Sequence, residues 1–193
     1  DKNSAQRGLQ IYREVCSSCH SLNKIKFRNL ADIGFSEAEI KALAAEYEYD
    51  FINDDGDVES RKGIPADGFP SSYPNVKAAA AANNGKAPPD LSLMYKARHD
   101  GGNYMYSLLT GYTGEEKEGL YENPYFPGHW IAMAKPLNEG QVEYQDGTEA
   151  TVDQMSQDIV NFLQWAAEPE MEQRKKMGIK VMLFLAVFTF FFY

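Results

Sequence analysis

The stretch REVCSSCHSL constrains this chain more than any other. It holds the only two cysteines, Cys16 and Cys19, followed at once by His20. With no third cysteine the pair acts on itself or on one shared ligand, and a disulfide framework is excluded. A thioredoxin-like redox pair sits at a helix N-terminus after a strand, in a βαβ setting. Here a helical pattern of Leu9, Ile11, Tyr12 and Val15 precedes the cysteines, and no parallel strands are visible. A zinc or iron-sulfur site needs four soft ligands, so the chain is two short. The use that also needs the histidine is covalent attachment of a c-type haem. Two thiols add across the vinyl groups, and the adjacent imidazole reaches the iron from the same side. Cys16 and Cys19 then serve as tethers and His20 as an axial ligand.

A chain built around such a group needs helices beside it. Gly8, Tyr12 and Cys16 are spaced four apart and share one helical face, where the glycine admits a close helix crossing. The natural partner is the late segment VDQMSQDIVNFLQWAAE, opened by the Thr151/Gln154 capping pattern, with a core face of Ile159, Phe162, Leu163 and Ala166. Phe162 or Trp165 is expected at the crossing. A second helix is expected after Ser36, which with Glu39 makes a capping box before Ile40, Leu43, Ala44 and Tyr47. NVKAAAAANNG reads as a short helix stopped at Asn-Asn-Gly, and NYMYSLLTGY as another. Residues 46–59 carry seven acids and no lysine or arginine, and read as a solvated loop. QVEYQDGTEAT reads as a small hairpin turning at Asp146-Gly147, and residues 113–140 as a long, proline-bounded loop. The fold class expected is mainly α, with long loops and a small β-hairpin.

The second axial ligand decides between electron transfer and ligand chemistry, since a strong sixth ligand closes the iron. The candidates are His99, His129 and seven methionines. Met155, Met171, Met177 and Met182 lie in the late helix or the C-terminal segment, and Met105 sits mid-helix, where methionine is usually core filler. Met133 lies in the long loop, where backbone can carry a side chain over the far face of the haem; Met94 is the next candidate and His129 the third.

Nineteen Lys+Arg against 28 Asp+Glu give a net charge of -9, which argues against nucleic acid as a partner. The C-terminal MGIKVMLFLAVFTFFFY has one charge, Lys180, and no polar face, and is expected to enter a lipid bilayer as an anchor. At 1.5 Å per residue it spans about 25 Å, so the chain is expected to end inside the membrane.

The segments RGLQIYREVCSSCHSL, AANNGKAPPDLSLMYKARHDGGNYMYSLLTGY, EGLYENPYFPGHWIAMAKPL and DIVNFLQWAAEPEMEQRKKMGIK together resemble the cytochrome c1 family, the haem subunit of quinol:cytochrome c oxidoreductase. The resemblance covers nearly the whole chain. It implies a class I cytochrome c-like haem domain over residues 1–168, and a linker with a C-terminal transmembrane helix over 169–193. It implies one haem c held through Cys16 and Cys19, with His20 and Met133 as the iron ligands. Arg98 of ARH is implied to pair with a haem propionate, Tyr104 to donate a hydrogen bond there, and PPDLS, which includes Pro89, to line the pocket. The implied partners are cytochrome b, the Rieske iron-sulfur subunit, cytochrome c as electron acceptor, and the lipid bilayer. The haem domain would face the periplasm of a bacterium or the intermembrane space of a mitochondrion. The chain would carry out no catalysis alone. A free-standing anchored cytochrome, a peroxidase-like haem enzyme and a thiol oxidoreductase are the competing readings.

Overall fold

The computed structural model describes residues 1–192 of the chain. Its centre is the crossing of two helices from opposite ends of the sequence, α1 (Lys2–Glu14) and α5 (Val152–Ala167). α1 starts where the Asp1 carboxylate accepts the Asn3 N–H at 3.0 Å, and α5 where Thr151 Oγ1 accepts the Gln154 N–H at 3.0 Å. They meet at Gly8. A Cβ there would stand 2.5 Å from the Phe162 Cβ and would run into the Asp158 carbonyl. The expected glycine crossing is therefore present, with Phe162 as the partner, and Tyr12 packs on Phe162 with ring centroids 6.0 Å apart. The four residues expected on the α5 core face, Ile159, Phe162, Leu163 and Ala166, are all buried.

The crossing also holds a charge. Asp158 is fully buried and takes Arg7 Nε at 2.8 Å, Arg7 Nη2 at 2.9 Å and Ser4 Oγ at 2.6 Å. A carboxylate so placed is tolerable only because its lone pairs are occupied by charged and hydroxyl donors.

α2 (Glu37–Ala44) opens with the expected Ser36/Glu39 capping box. A 3-10 helix, Phe27–Ile33, packs beneath it and buries Phe27, Leu30 and Ile33. α3 (Val76–Ala82) is capped by Asn75, and α4 (Gly101–Thr110) packs on α5.

Several sequence expectations change. Residues 46–59, expected as a loop, form most of an antiparallel hairpin, β1 (Glu48–Ile52) with β2 (Val58–Lys62). Its turn is made by the Asn53 side chain, which accepts the Asp55 and Asp57 N–H groups, and by Gly56 at φ +89°. Charge density hid a strand pair that needs little burial. Conversely, the hairpin expected at Asp146-Gly147 is only a turn, with Gly147 N–H on the Tyr144 carbonyl. Val142 and Tyr144 are drawn into the core and Asp146 onto Arg7, so no strands pair there. The long loop contains a small sheet of β3 (Glu116–Lys117), β4 (Leu120–Glu122) and β5 (Trp130–Ile131).

α6 (Met171–Phe192) begins before the apolar stretch and carries Arg174, Lys175, Lys176 and Lys180 in its first half. The transmembrane helix expected over 169–193 is not shown: with basic residues spread through the first half of α6, no helix among the described residues is long and apolar enough to cross a membrane. The distal half of α6 is exposed and apolar, with Phe188 tilted against Phe184 and stacked on Phe192.

Candidate functional site

α1 passes directly into a 3-10 turn, Cys16–Ser18, in which the Cys19 and His20 N–H groups both donate to the Cys16 carbonyl, at 3.1 and 2.8 Å. One turn thus carries both thiols and the imidazole. The cysteines are unbridged, and Cys16 packs against the core, where burial and the neighbouring Cys19 push its thiol up to about 12. Tyr73 Oη lies 3.9 Å from Cys19 Sγ and is held by Asn83 Nδ2 at 3.1 Å.

His20 Nδ1 lies 2.8 Å from the Pro89 carbonyl oxygen. A carbonyl only accepts, so Nδ1 carries the proton and Nε2 keeps its lone pair. Burial lowers the His20 pKa, against smaller raising effects of the Pro89 carbonyl and the Asp90 charge, so the ring is neutral at pH 7. The Pro89 carbonyl is itself fixed. The Leu91 N–H donates to the Ser21 carbonyl at 2.9 Å, and Asp90 accepts the Asn23 N–H at 2.8 Å and the Ser92 N–H at 2.9 Å. Buried Ser92 accepts the Lys24 N–H on Oγ at 3.0 Å. Pro89, expected to line a pocket, therefore acts through His20. Asp90 and Ser92, expected with the rest of PPDLS to line the pocket, clamp the two segments together.

Met133 follows β5, half-buried, and its carbonyl accepts the Tyr112 hydroxyl at 2.9 Å. The loop around it is organised by Asn123, fully buried, whose Nδ2 donates to the Leu108 carbonyl at 2.7 Å and whose Oδ1 accepts the Tyr125 N–H at 3.1 Å. Neither Tyr112 nor Asn123 was singled out in the sequence. The signal was present in LTGY and ENPYFPG, where an asparagine between turn residues is a loop organiser. His129, the third ligand candidate, is exposed in the left-handed region at φ +65°. Met105 is buried in the core as expected, and Met94 is partly buried against it.

Arg98 is exposed, bonded only to the Ala97 carbonyl at 3.0 Å, and no carboxylate of the described residues pairs with it. Tyr104 is partly buried on α4, packed against the core. The hydrogen bonds of the site fall into two groups that share no member, one around His20 and one around Met133.

These residues fit a covalently held haem. Two unbridged thiols and an imidazole with an unshared Nε2 sit on one turn, and Met94, Tyr95, Tyr104 and Cys16 lie against the core yet stay partly exposed, offering apolar surface for a flat ring. No cluster of three or more His, Cys, Asp or Glu among the described residues suggests a free metal-ion site instead.

A family model described as the cytochrome C1 family matches residues 1–193. The chain is 50% identical to cytochrome c1 of Rhodospirillum rubrum, over 98% of its own length and 78% of that protein. It is 51% identical to "Cytochrome c1-2, heme protein, mitochondrial" of Solanum tuberosum, over 97% of its length and 74% of the relative. It is also 51% identical to "Cytochrome c1, heme protein, mitochondrial" of Schizosaccharomyces pombe, over 98% of its length and 64% of that relative.

Proposed function

The chain belongs to the cytochrome c1 family, and from that premise we propose that it is an electron-transfer subunit carrying one haem c. When bound, the haem supplies a reversible one-electron couple. The chain's own residues do the rest. Cys16 and Cys19 would tether the group through thioethers, His20 would offer Nε2 to the iron, and Met133 would supply its thioether as the other protein ligand. A thioether there raises the potential relative to two imidazoles and keeps exchangeable ligands out. The observation that carries this reading is the His20–Pro89 bond, which fixes the tautomer and leaves Nε2 to bind metal.

Arg98 would pair with a propionate, as a guanidinium with no carboxylate of its own suits an anionic edge, and Tyr104 would donate a hydrogen bond beside it. Electrons would arrive from a Rieske iron-sulfur subunit and leave to cytochrome c, with cytochrome b as the neighbour in the membrane. Residues 1–168 would form the haem domain, on the periplasmic or intermembrane-space side. The apolar half of α6 would enter the bilayer as an anchor, supported by its exposed Phe184, Phe188 and Phe192.

The test is the redox spectrum of the holoprotein beside Met133→Leu. The variant is expected to lose the sulfur-to-iron absorption band and to fall markedly in potential. If both survive, Met133 is not the ligand and Met94 becomes the residue to test.

A further inference from the structure

Met133 is the proposed sixth ligand, and the role of Tyr112 beside it rests on that assignment. The Met133 side chain lies beyond β5, which ends at Ile131, on backbone that belongs to no helix or strand. The support comes from the C-terminal end of α4 instead. Asn123 Nδ2 ties the loop to the Leu108 carbonyl at 2.7 Å. Gly111 lets the Tyr125 ring approach to 2.5 Å from where a Cβ would stand. Tyr112 then donates its hydroxyl to the Met133 carbonyl at 2.9 Å. The first two contacts locate the loop, and the third reaches the candidate ligand itself. Among the described residues no other donor reaches that carbonyl.

We propose that Tyr112 is a positioning residue for Met133, holding its backbone so that the thioether meets the metal without a loop having to be ordered first. A thioether is a neutral, weak ligand, and the bond it makes competes with the entropy of fixing the chain that carries it. A carbonyl already held in place removes that cost before the bond forms. Because the tyrosine touches backbone and not sulfur, its effect is on how often the ligand is in place.

The test compares holoprotein of wild type, Tyr112→Phe and Met133→Leu for potential, sulfur-to-iron band and the rate of carbon monoxide binding to the reduced form. Tyr112→Phe keeps the ring and removes one donor. It is expected to retain the band, lower the potential and bind carbon monoxide about tenfold faster than wild type, the scale of one lost hydrogen bond. Met133→Leu should lose the band and bind the gas fastest. Para-aminophenylalanine in place of Tyr112, which restores a donor on the same ring, should return the rate to wild type. A Tyr112→Phe protein identical to wild type, beside a Met133→Leu protein that has lost the band, overturns the inference and leaves the ligand assignment standing. A para-amino variant behaving like Tyr112→Phe also overturns it, because the donor is then not what matters. A band that survives Met133→Leu removes the ligand assignment and the inference together.

Discussion

Around His20 the chain is held by four hydrogen bonds between residues 20–24 and 89–92, with Tyr12 adding a fifth to the His20 carbonyl, whereas the Met133 carbonyl is reached by one. The His20 side stands on the α1/α5 crossing, with Tyr12 and Phe162 fully buried. The Met133 side is a run of turns and short strands hung from α4, where Asn123 and Ile131 are the buried members between residues 112 and 136. The difference follows from chain connectivity. His20 follows within five residues of both cysteines proposed as tethers, so local backbone already places it beside them, and the contacts to residues 89–92 add to that. Met133 lies over a hundred residues away, and only tertiary contacts could bring it to the centre proposed for both.

The largest effect should come from the crossing. Gly8→Ala places a methyl against the Asp158 carbonyl and the Phe162 Cβ, neither of which is a flexible side-chain end. The helices must part, at a cost of about 3 kcal/mol or more. Denaturant unfolding should show it, and loss below about 1 kcal/mol would mean the crossing is looser than the His20 side requires. Asp158→Ala comes next, at about 3 kcal/mol, because it strands Arg7 and Ser4. The value sits at the low end because Arg7 keeps Asp146 at 2.8 Å. Losing Arg7 as well should restore part of the stability. If the double variant is no better than the single, the buried pair is not the cause.

On the other side, Asn123→Ala removes the donor to Leu108 and the acceptor for Tyr125, at about 2 kcal/mol. Its loss should be local. Amide exchange should speed for residues 123–133 while α1 and α5 keep their protection, and an equal loss in both regions would erase the contrast between the two sides.

The same contrast separates what the sequence revealed from what it hid. Cys16, Cys19 and His20 are adjacent, so the chemistry proposed for them can be read from spacing. The Gly8/Phe162 crossing was legible too, since a glycine on the apolar face of one helix asks for a large residue on another. The hairpin of β1 and β2 was not, because its strands are nearly all exposed and their charge pattern mimics a solvated loop. The turn at Asp146-Gly147 misled in the other direction. Its flanking alternation serves burial of Val142 and Tyr144, and Arg7, an element away, claims the aspartate that a hairpin turn would have used. Tyr112 and Asn123 carry no motif of their own. Their roles exist only once α4 and the loop are side by side.

Acid should separate the two sides in solution. Asp67 accepts both Arg61 guanidinium nitrogens, at 2.6 and 2.8 Å, and the Ile64 N–H at 2.8 Å. The guanidinium first, and then the backbone N–H, hold its carboxyl down at about 2. The carbonyl of the same residue accepts the Phe27 N–H at 3.0 Å, and Phe69, two residues on, packs its ring on Tyr12 and Phe27. Because the folded value is depressed, the unfolded chain binds more protons between the two values, and stability rises with pH across that interval. The contribution is complete above the ordinary carboxylate range near 4 and is lost as pH falls through about 2. Arg61 is 36% exposed, so solvent screening keeps the effect under about 2 kcal/mol. The measurement is exchange of the Phe27 and Arg28 amides, which donate to the Asp67 and Pro65 carbonyls, taken relative to the Asn123 and His129 amides of the loop. The ratio should shift toward faster exchange at Phe27 and Arg28 as pH drops from 5 to 2, and Asp67→Asn should show the shifted ratio already at pH 7. A ratio that stays flat with pH in the wild type would mean that the Arg61–Asp67 pair does not brace the 3-10 helix beneath α2, and that the His20 side owes its rigidity to the crossing and the Pro89 clamp alone.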